Sequence, residues 1–297
     1  MKERFFELFT LHGLSHLLEH AVLDSLKLLP FLFLSYLVME FVEHRAKERT
    51  VGMISSCKGF APAAGAALGL LPQCGFGAAI AGLYSGGLVT AGTLVAVFLS
   101  TGDEMLPVMI SNGASAGAIA VTLAFKLVAA LIFGFGLDIV LKLFKREYSH
   151  STVEELCEHQ GCDCHKKGIL RSALRHTAQV FLFIFVFNLV MGAALEVVSE
   201  DFIAGFFSGL PWLAYPVSSL VGLIPNCASS VLITSLALEG SISFGAMISG
   251  LLSGSGVGLL VLFRTNRSWK QNLFVLVYLV AAGIICGAFA DLLGLKL

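Results

Sequence analysis

Charge is scarce in this chain. Asp, Glu, Lys and Arg make up 13% of its 297 residues, against about 25% in a soluble domain. Such a shortage excludes a freely solvated globular domain. The charges present nearly cancel, to −1 at pH 7, so the basic face that would hold nucleic acid is missing. No Walker A phosphate loop occurs, and ATP-driven pumping by this chain alone is not expected. Met1 to Phe9 is amphipathic rather than an apolar core leading to a small-residue cleavage site, so no cleavable signal peptide is expected. Seven cysteines are present, but several fall in apolar segments or in a loop assigned to the cytoplasm, which excludes a disulfide framework.

Apolar residues dominate what remains, at 57% with a mean hydropathy of +0.87. Segments of about 20 apolar residues cross a bilayer as helices, and 31 glycines suit close helix packing in lipid. The expected fold is an all-α integral membrane protein. Residues 1–24 read as an interfacial amphipathic helix on which His12, His16, His20 and Asp24 form one stripe. That stripe is a polar face or a metal-collecting one.

One stretch occurs twice. Gly69-Leu70-Leu71-Pro72-Gln73-Cys74 is matched by Gly222-Leu223-Ile224-Pro225-Asn226-Cys227, an offset of 153 residues. The same offset relates Gly87 to Gly240, Gly92 to Gly245, Ser100 to Ser253, Gly134 to Gly287 and Asp138 to Asp291. The chain is therefore a duplication, with copy 1 over 25–146, a polar loop over 147–176 and copy 2 over 177–297. Each copy holds five apolar segments, giving about ten in all, with broken helices and short hairpins; the third and fourth segments of copy 1, about 88–110, are short enough to form one such hairpin. Five is odd, so the copies should be inverted, and the basic residues agree. Arg45, Lys47, Arg49 and Lys58 follow the first segment of copy 1, where copy 2 has Glu196, Glu200 and Asp201. Arg264, Arg267 and Lys270 precede the last segment of copy 2, where copy 1 is neutral. By the positive-inside rule these basic loops and loop 144–176 are cytoplasmic, with both termini outside an inner (cell) membrane.

Inverted copies with interrupted helices are the architecture of secondary transporters. A proline interruption frees backbone groups that only protein, water or a bound solute can satisfy. Gln73, Cys74, Asn226 and Cys227 would bring two thiols and two amide oxygens to the midplane, a set suited to a thiophilic or borderline cation or a metalloid; alternatively each cysteine is a small core residue beside a kink. Asp103 and Glu104 lie between apolar runs, as metal ligands, as a proton acceptor, or solvated at a hairpin tip. Ser100, Thr101, Ser253 and Ser255 flank the same level as auxiliary polar lining or as packing residues. Asp138 and Asp291 read as interfacial charges, and Lys126 as a partner of Glu40 or a snorkelling side chain. In the central loop Cys157, His159, Cys162, Cys164 and His165 form a dense ligand set for metal capture, without the two separated pairs of a zinc finger.

The paired Leu-Pro-Gln-Cys-Gly and Ile-Pro-Asn-Cys-Ala-Ser motifs, the segment Phe98 to Glu104 and the Cys/His-rich loop together resemble the ten-transmembrane heavy-metal exporters, relatives of the arsenic permeases often labelled manganese transporters. The resemblance implies secondary-active export of a transition or heavy metal, manganese or softer, or of a metalloid. Alternating access with proton coupling is the expected mechanism. The chain is not expected to be an enzyme or to need a cofactor; its partners are the lipid bilayer and its metal or metalloid substrate, not nucleic acid, and a homo-oligomer is compatible with the reading. Two alternatives stay open, a permease for organoarsenicals or other small organic solutes, and a membrane dithiol redox enzyme using Cys74 and Cys227.

Overall fold

The computed structural model describes residues 22, 29–30, 33–34, 37, 59–70, 75–102, 105–143, 174–175, 177–178, 181–182, 185–186, 189, 211–225 and 227–295. The histidine stripe of the expected interfacial helix, Glu40 and the Cys157 to His165 loop lie outside the described residues. Leu174 and Arg175 are among the described helical residues. The described residues are helical throughout copy 1, as α1 (Ala61–Gly69), α2 (Gly75–Ser85), α3 (Ala91–Ser100), α4 (Met105–Ser111) and α5 (Ala116–Leu143). Copy 2 supplies α6 (Pro211–Gly222), α7 (Cys227–Leu238), α8 (Phe244–Ser253), α9 (Val257–Thr265) and α10 (Trp269–Leu292).

The 153-residue offset extends to the helix ends. It carries both ends of α3 onto those of α8, and the first residue of α5 onto that of α10. Local causes repeat too. Gly87 and Gly240 take φ of 73° and 76° in the turns before α3 and α8, a region that glycine enters without steric penalty. Thr90 and Ser243 then cap those helices, their hydroxyls accepting from the N–H groups of Thr93 and Ala246.

Asp138 and Asp291 are fasteners rather than solvated interfacial charges. Asp138, on α5, accepts from Gly92 N at 2.8 Å and from Thr90 Oγ1 at 2.7 Å. Asp291, on α10, accepts from Gly245 N at 2.7 Å and from Ser243 Oγ at 2.6 Å. Each carboxylate thus ties a long helix to the amino end of its neighbour, where the helix dipole favours negative charge. The helices cross through glycine: a Cβ on Gly92 would lie 2.3 Å from Gly134 O, and one on Gly245 would lie 2.2 Å from Gly287 O.

Contacts along these helices fix their directions. α1 runs with α3, since Gly65 faces Thr93 and Val97 and Gly69 faces Ser100. α2 turns back through Gly86 and Gly87 into α3. Hence α1 and α2 fold back on each other as a short hairpin with Pro72-Gln73-Cys74 between them. Copy 2 repeats this: Ser249 Oγ donates to Tyr215 O and Ser253 Oγ to Ser219 O, so α6 runs with α8 while α7 turns back into it. At 1.5 Å per residue, helices of 9 to 12 residues reach about halfway through a bilayer.

The hairpin expected over 88–110 is not formed. α3 passes α5 in the opposite direction, Gly92 lying at Gly134 and Thr101 at Lys126. α4 rejoins α5 at Ala116, which is about 15 Å beyond Lys126 along that helix. Ala91–Ser111 is accordingly one interrupted span, as is Phe244–Thr265. These two are interior elements, 75% and 78% buried, while the uninterrupted spans Ala116–Leu143 and Trp269–Leu292 are 28% and 39% buried. Interrupted backbone lies inside and continuous helix outside, as a hydrocarbon solvent demands.

Replacing Gly92 by Val should therefore cost about 1–3 kcal/mol by overpacking, read as a lower melting midpoint in detergent. Gly136→Ala adds a carbon with nothing within 4 Å, and that variant should melt no lower than the parent.

Candidate functional site

Helices end and begin again between Gly69 and Gly75, Ser100 and Met105, Gly222 and Cys227, and Ser253 and Val257. Each interruption leaves helix-terminal N–H and C=O groups without intrahelical partners, so the groups that meet them define the site.

The interruptions lie together. The end of α1 abuts the end of α3: a Cβ on Gly69 would fall 2.0 Å from Ser100 Oγ and 2.8 Å from Val97 O. The end of α6 abuts α8 in the same way, a Cβ on Gly222 falling 2.1 Å from Gly250 O and 3.0 Å from Ser253 Oγ. Between copies, Gly77 in the first turn of α2 presents its Cβ position 3.3 Å from Ser255 O and 3.6 Å from Gly258 Cα. Gly258 in turn faces the ring of fully buried Phe98. A side chain at either glycine would part the two copies. α7 packs on α4 in the corresponding place.

The four lining hydroxyl residues named from sequence are all buried. Ser100 Oγ and Thr101 Oγ1 donate to Val97 O, at 3.1 and 2.7 Å. Ser253 Oγ faces the carbonyls of Ser219 and Ser249, both at 2.9 Å, and that of Gly250 at 3.1 Å. The protons of Ser100, Thr101 and Ser253 are held by backbone, which leaves oxygen lone pairs as the groups these three can offer a cation. Ser229, at the start of α7, reaches back across the interruption to Ile224 O at 3.1 Å. One turn before Gly222, Ser218 Oγ and Ser219 Oγ are buried without a hydrogen-bond partner, an uncommon state for a buried hydroxyl.

Of the two readings of Lys126, a snorkelling side chain is overturned, and pairing with Glu40 falls outside the described residues. Lys126 neither snorkels nor lies at an interface: it is 0% exposed, and its ammonium donates to Thr101 O and, at 3.3 Å, to Leu251 O. Its signal in the sequence was a cation well inside a 28-residue apolar helix whose other lysine, Lys142, is in the last turn; its offset partner is Leu279.

Gln73, Cys74, Asp103, Glu104 and Asn226 lie outside the described residues, and Cys227 is described only as the first residue of α7. The described residues that meet nearby are Gly69 with Ser100, Gly77 with Ser255, Gly102 with Lys126 and Gly222 with Ser253. Among the described residues no three His, Cys, Asp or Glu side chains form a metal-binding group.

At their far ends α2 and α9 are joined by Ser85 Oγ and Thr265 Oγ1, 2.7 Å apart and buried. In a cycle of Ser85→Ala, Thr265→Val and the double variant, the melting free energies should fail to add by about 1 kcal/mol. Strict additivity would show that this contact does not fasten the copies together.

A family model described as "Putative, 10TM heavy-metal exporter" matches residues 26–209. The match takes in the whole of copy 1 and the central loop and stops just before α6, covering well over half of the 297 residues. No curated protein and no solved structure matches the chain.

Proposed function

Because the chain belongs to this family of ten-transmembrane heavy-metal exporters, we propose that it exports a transition- or heavy-metal cation or a metalloid by alternating access. The coarse assignment, a multi-pass membrane metal transporter, follows from the family. The finer reading is carried by one observation: the interrupted helices of both copies meet at a buried centre, Gly77 against Ser255 and Gly258, and Lys126 between Thr101 and Leu251.

Opposite orientation of the copies is supported by the directions of the helices. α2 runs beside α9 in the same sense, from Gly77 at Gly258 to Ser85 at Thr265. Since α2 opposes α3 and α9 continues α8, α3 and α8 point in opposite senses. The polar corner between α9 and α10 fits a cytoplasmic face. Arg264, Arg267 and Lys270 are exposed there, and Trp269, 66% exposed, packs edge-on against Phe263 at 5.2 Å, an interfacial aromatic beside positive charge. With that corner inside the cell, both termini are outside.

In this reading the metal is bound between the hairpin tips by Gln73, Cys74, Asn226 and Cys227, with Asp103 or Glu104 supplying a carboxylate and the buried hydroxyl oxygens completing the polar lining. Thiolate and carboxylate together accommodate borderline metals, and thiolate alone favours softer ones. The cytoplasmic cysteines and histidines of 157–165 deliver metal to the inward-facing state. Rocking of one copy on the other, against an inward flow of protons, carries it outside.

Purified protein in liposomes, tested with a panel of metals and arsenite with and without a proton gradient, provides the test. Export should depend on the gradient, and Cys74→Ser with Cys227→Ser should reduce it at least tenfold in protein that remains monodisperse; undiminished flux removes the thiols from the mechanism. Separately, acidifying the exterior should accelerate export by the unmodified protein, and Asp103→Asn should flatten that response. An unchanged pH profile would exclude Asp103 from coupling.

A further inference from the structure

Copy 2 carries a seam of hydroxyls that copy 1 lacks. Where α6 runs with α8 it has Tyr215, Ser218, Ser219 and Ser249; the 153-residue offset puts Pro62, Gly65, Ala66 and Ala96 in those places in copy 1. Ser218, Ser219 and Ser249 are fully buried, and so are Ala66 and Ala96. Packing in this frame therefore does not call for the oxygens. Hydrogen bonding within the seam does not account for them either. Ser249 Oγ donates to Tyr215 O, but among the described residues Ser218 Oγ and Ser219 Oγ have no partner. Each lies against a glycine of a neighbouring helix. A Cβ on Gly250 in α8 would fall 2.5 Å from Ser218 Oγ, and one on Gly283 in α10 would fall 3.3 Å from Ser219 Oγ. Buried hydroxyls left unpaired destabilise a fold, and here two of them are consecutive on one helix.

The seam joins one face of the protein to its centre. Tyr215 OH donates to Asp291 near the end of α10, and Ser219 O accepts from Ser253 Oγ beside the interruption that follows Gly222. It is shut by direct backbone contact, a Cβ on Gly222 falling 2.1 Å from Gly250 O. With the corner between α9 and α10 inside the cell, α10 ends at the outer face, so this seam spans the outer half of the membrane. We propose that the seam between α6 and α8 is the outer half of the permeation path: as α6 moves off α8, Ser218, Ser219 and Ser249 line a hydrated passage by which the metal cation leaves. Neutral oxygens suit an exit, since they replace part of a cation's hydration yet hold it weakly. Parting the helices also gives the two unpaired hydroxyls water or the cation as partner. The equivalent seam between α1 and α3 is apolar and spans the cytoplasmic half, so the passage has no twin there. This assignment rests on the transport reading above and on its topology.

Labelling tests it. Ser219→Cys exchanges an oxygen for a sulfur; Ala66→Cys is the equivalent position of copy 1, and Ser241→Cys, in the exposed turn before α8, marks the outer face. Right-side-out and inside-out vesicles carrying the full chain are treated with a charged, membrane-impermeant methanethiosulfonate, and peptide mass spectrometry reads each thiol separately. The Ser219→Cys thiol and the marker should react from outside, and the Ala66→Cys thiol from neither side. An unreactive Ser219→Cys beside a marker that reacts from outside overturns the passage, as does equal reaction at Ala66→Cys. A marker that reacts only in inside-out vesicles overturns instead the topology of the transport reading. Ser219→Ala provides a second measurement. It removes an unpaired hydroxyl, so it should melt no lower than the parent, yet in liposomes it should export metal at least about threefold more slowly. Either a lower melting midpoint or undiminished flux overturns the proposal. If the parent exports no metal at all, the transport reading falls, and labelling alone decides whether the seam opens.

Discussion

A peptide group in the middle of an apolar layer has no water to turn to. That constraint governs this structure, because four helix interruptions lie in its interior spans and hairpins. Each helix end left unsatisfied there would cost on the order of several kcal/mol. The chain meets this demand locally where a hydroxyl reaches a carbonyl, as Thr101 does with Val97 O and Ser229 with Ile224 O. Elsewhere it does so by bringing interruptions against one another, and α5 and α10, which have none, are left to face lipid.

The duplication shows which of these solutions is architectural. The carboxylate fasteners at Asp138 and Asp291 and the glycine crossings beneath them are the same in both copies, so each long helix and its inner neighbour form one rigid frame. Around the interruptions the copies diverge. Gly65 in α1 faces Val97, whereas its counterpart Ser218 in α6 faces Gly250, an exchange of bulk across the same contact. Tyr215, which donates to Asp291 at 2.9 Å, replaces Pro62, and Leu279 replaces Lys126. A symmetric frame thus encloses an asymmetric centre.

Much of this was legible in the sequence. Pattern and offset located the helices, their interruptions and the matched pairs, because hydrophobic length and duplicated glycines, prolines and aspartates are local signals. Direction was not legible. An apolar run of ten residues reads the same whether the chain continues or turns back, so the hairpin was assigned to 88–110 when it lies at α1 and α2. The burial of Lys126 was illegible for a related reason: two of its acceptors are backbone carbonyls 25 and 125 residues away, and carbonyls have no letter in a sequence. The hydroxyl residues at 100, 101, 253 and 255 are buried, and the sequence could not say that three of the four engage backbone.

The seam between α2 and α9 also has a consequence for how the protein is made. Ser85 and Thr265 are 180 residues apart. At about 5–20 residues per second of synthesis, the first hairpin must wait on the order of 10–40 s in the membrane before its partner emerges from the ribosome. During that interval the face of α2 that meets α9, with Gly77 on it, is without that partner.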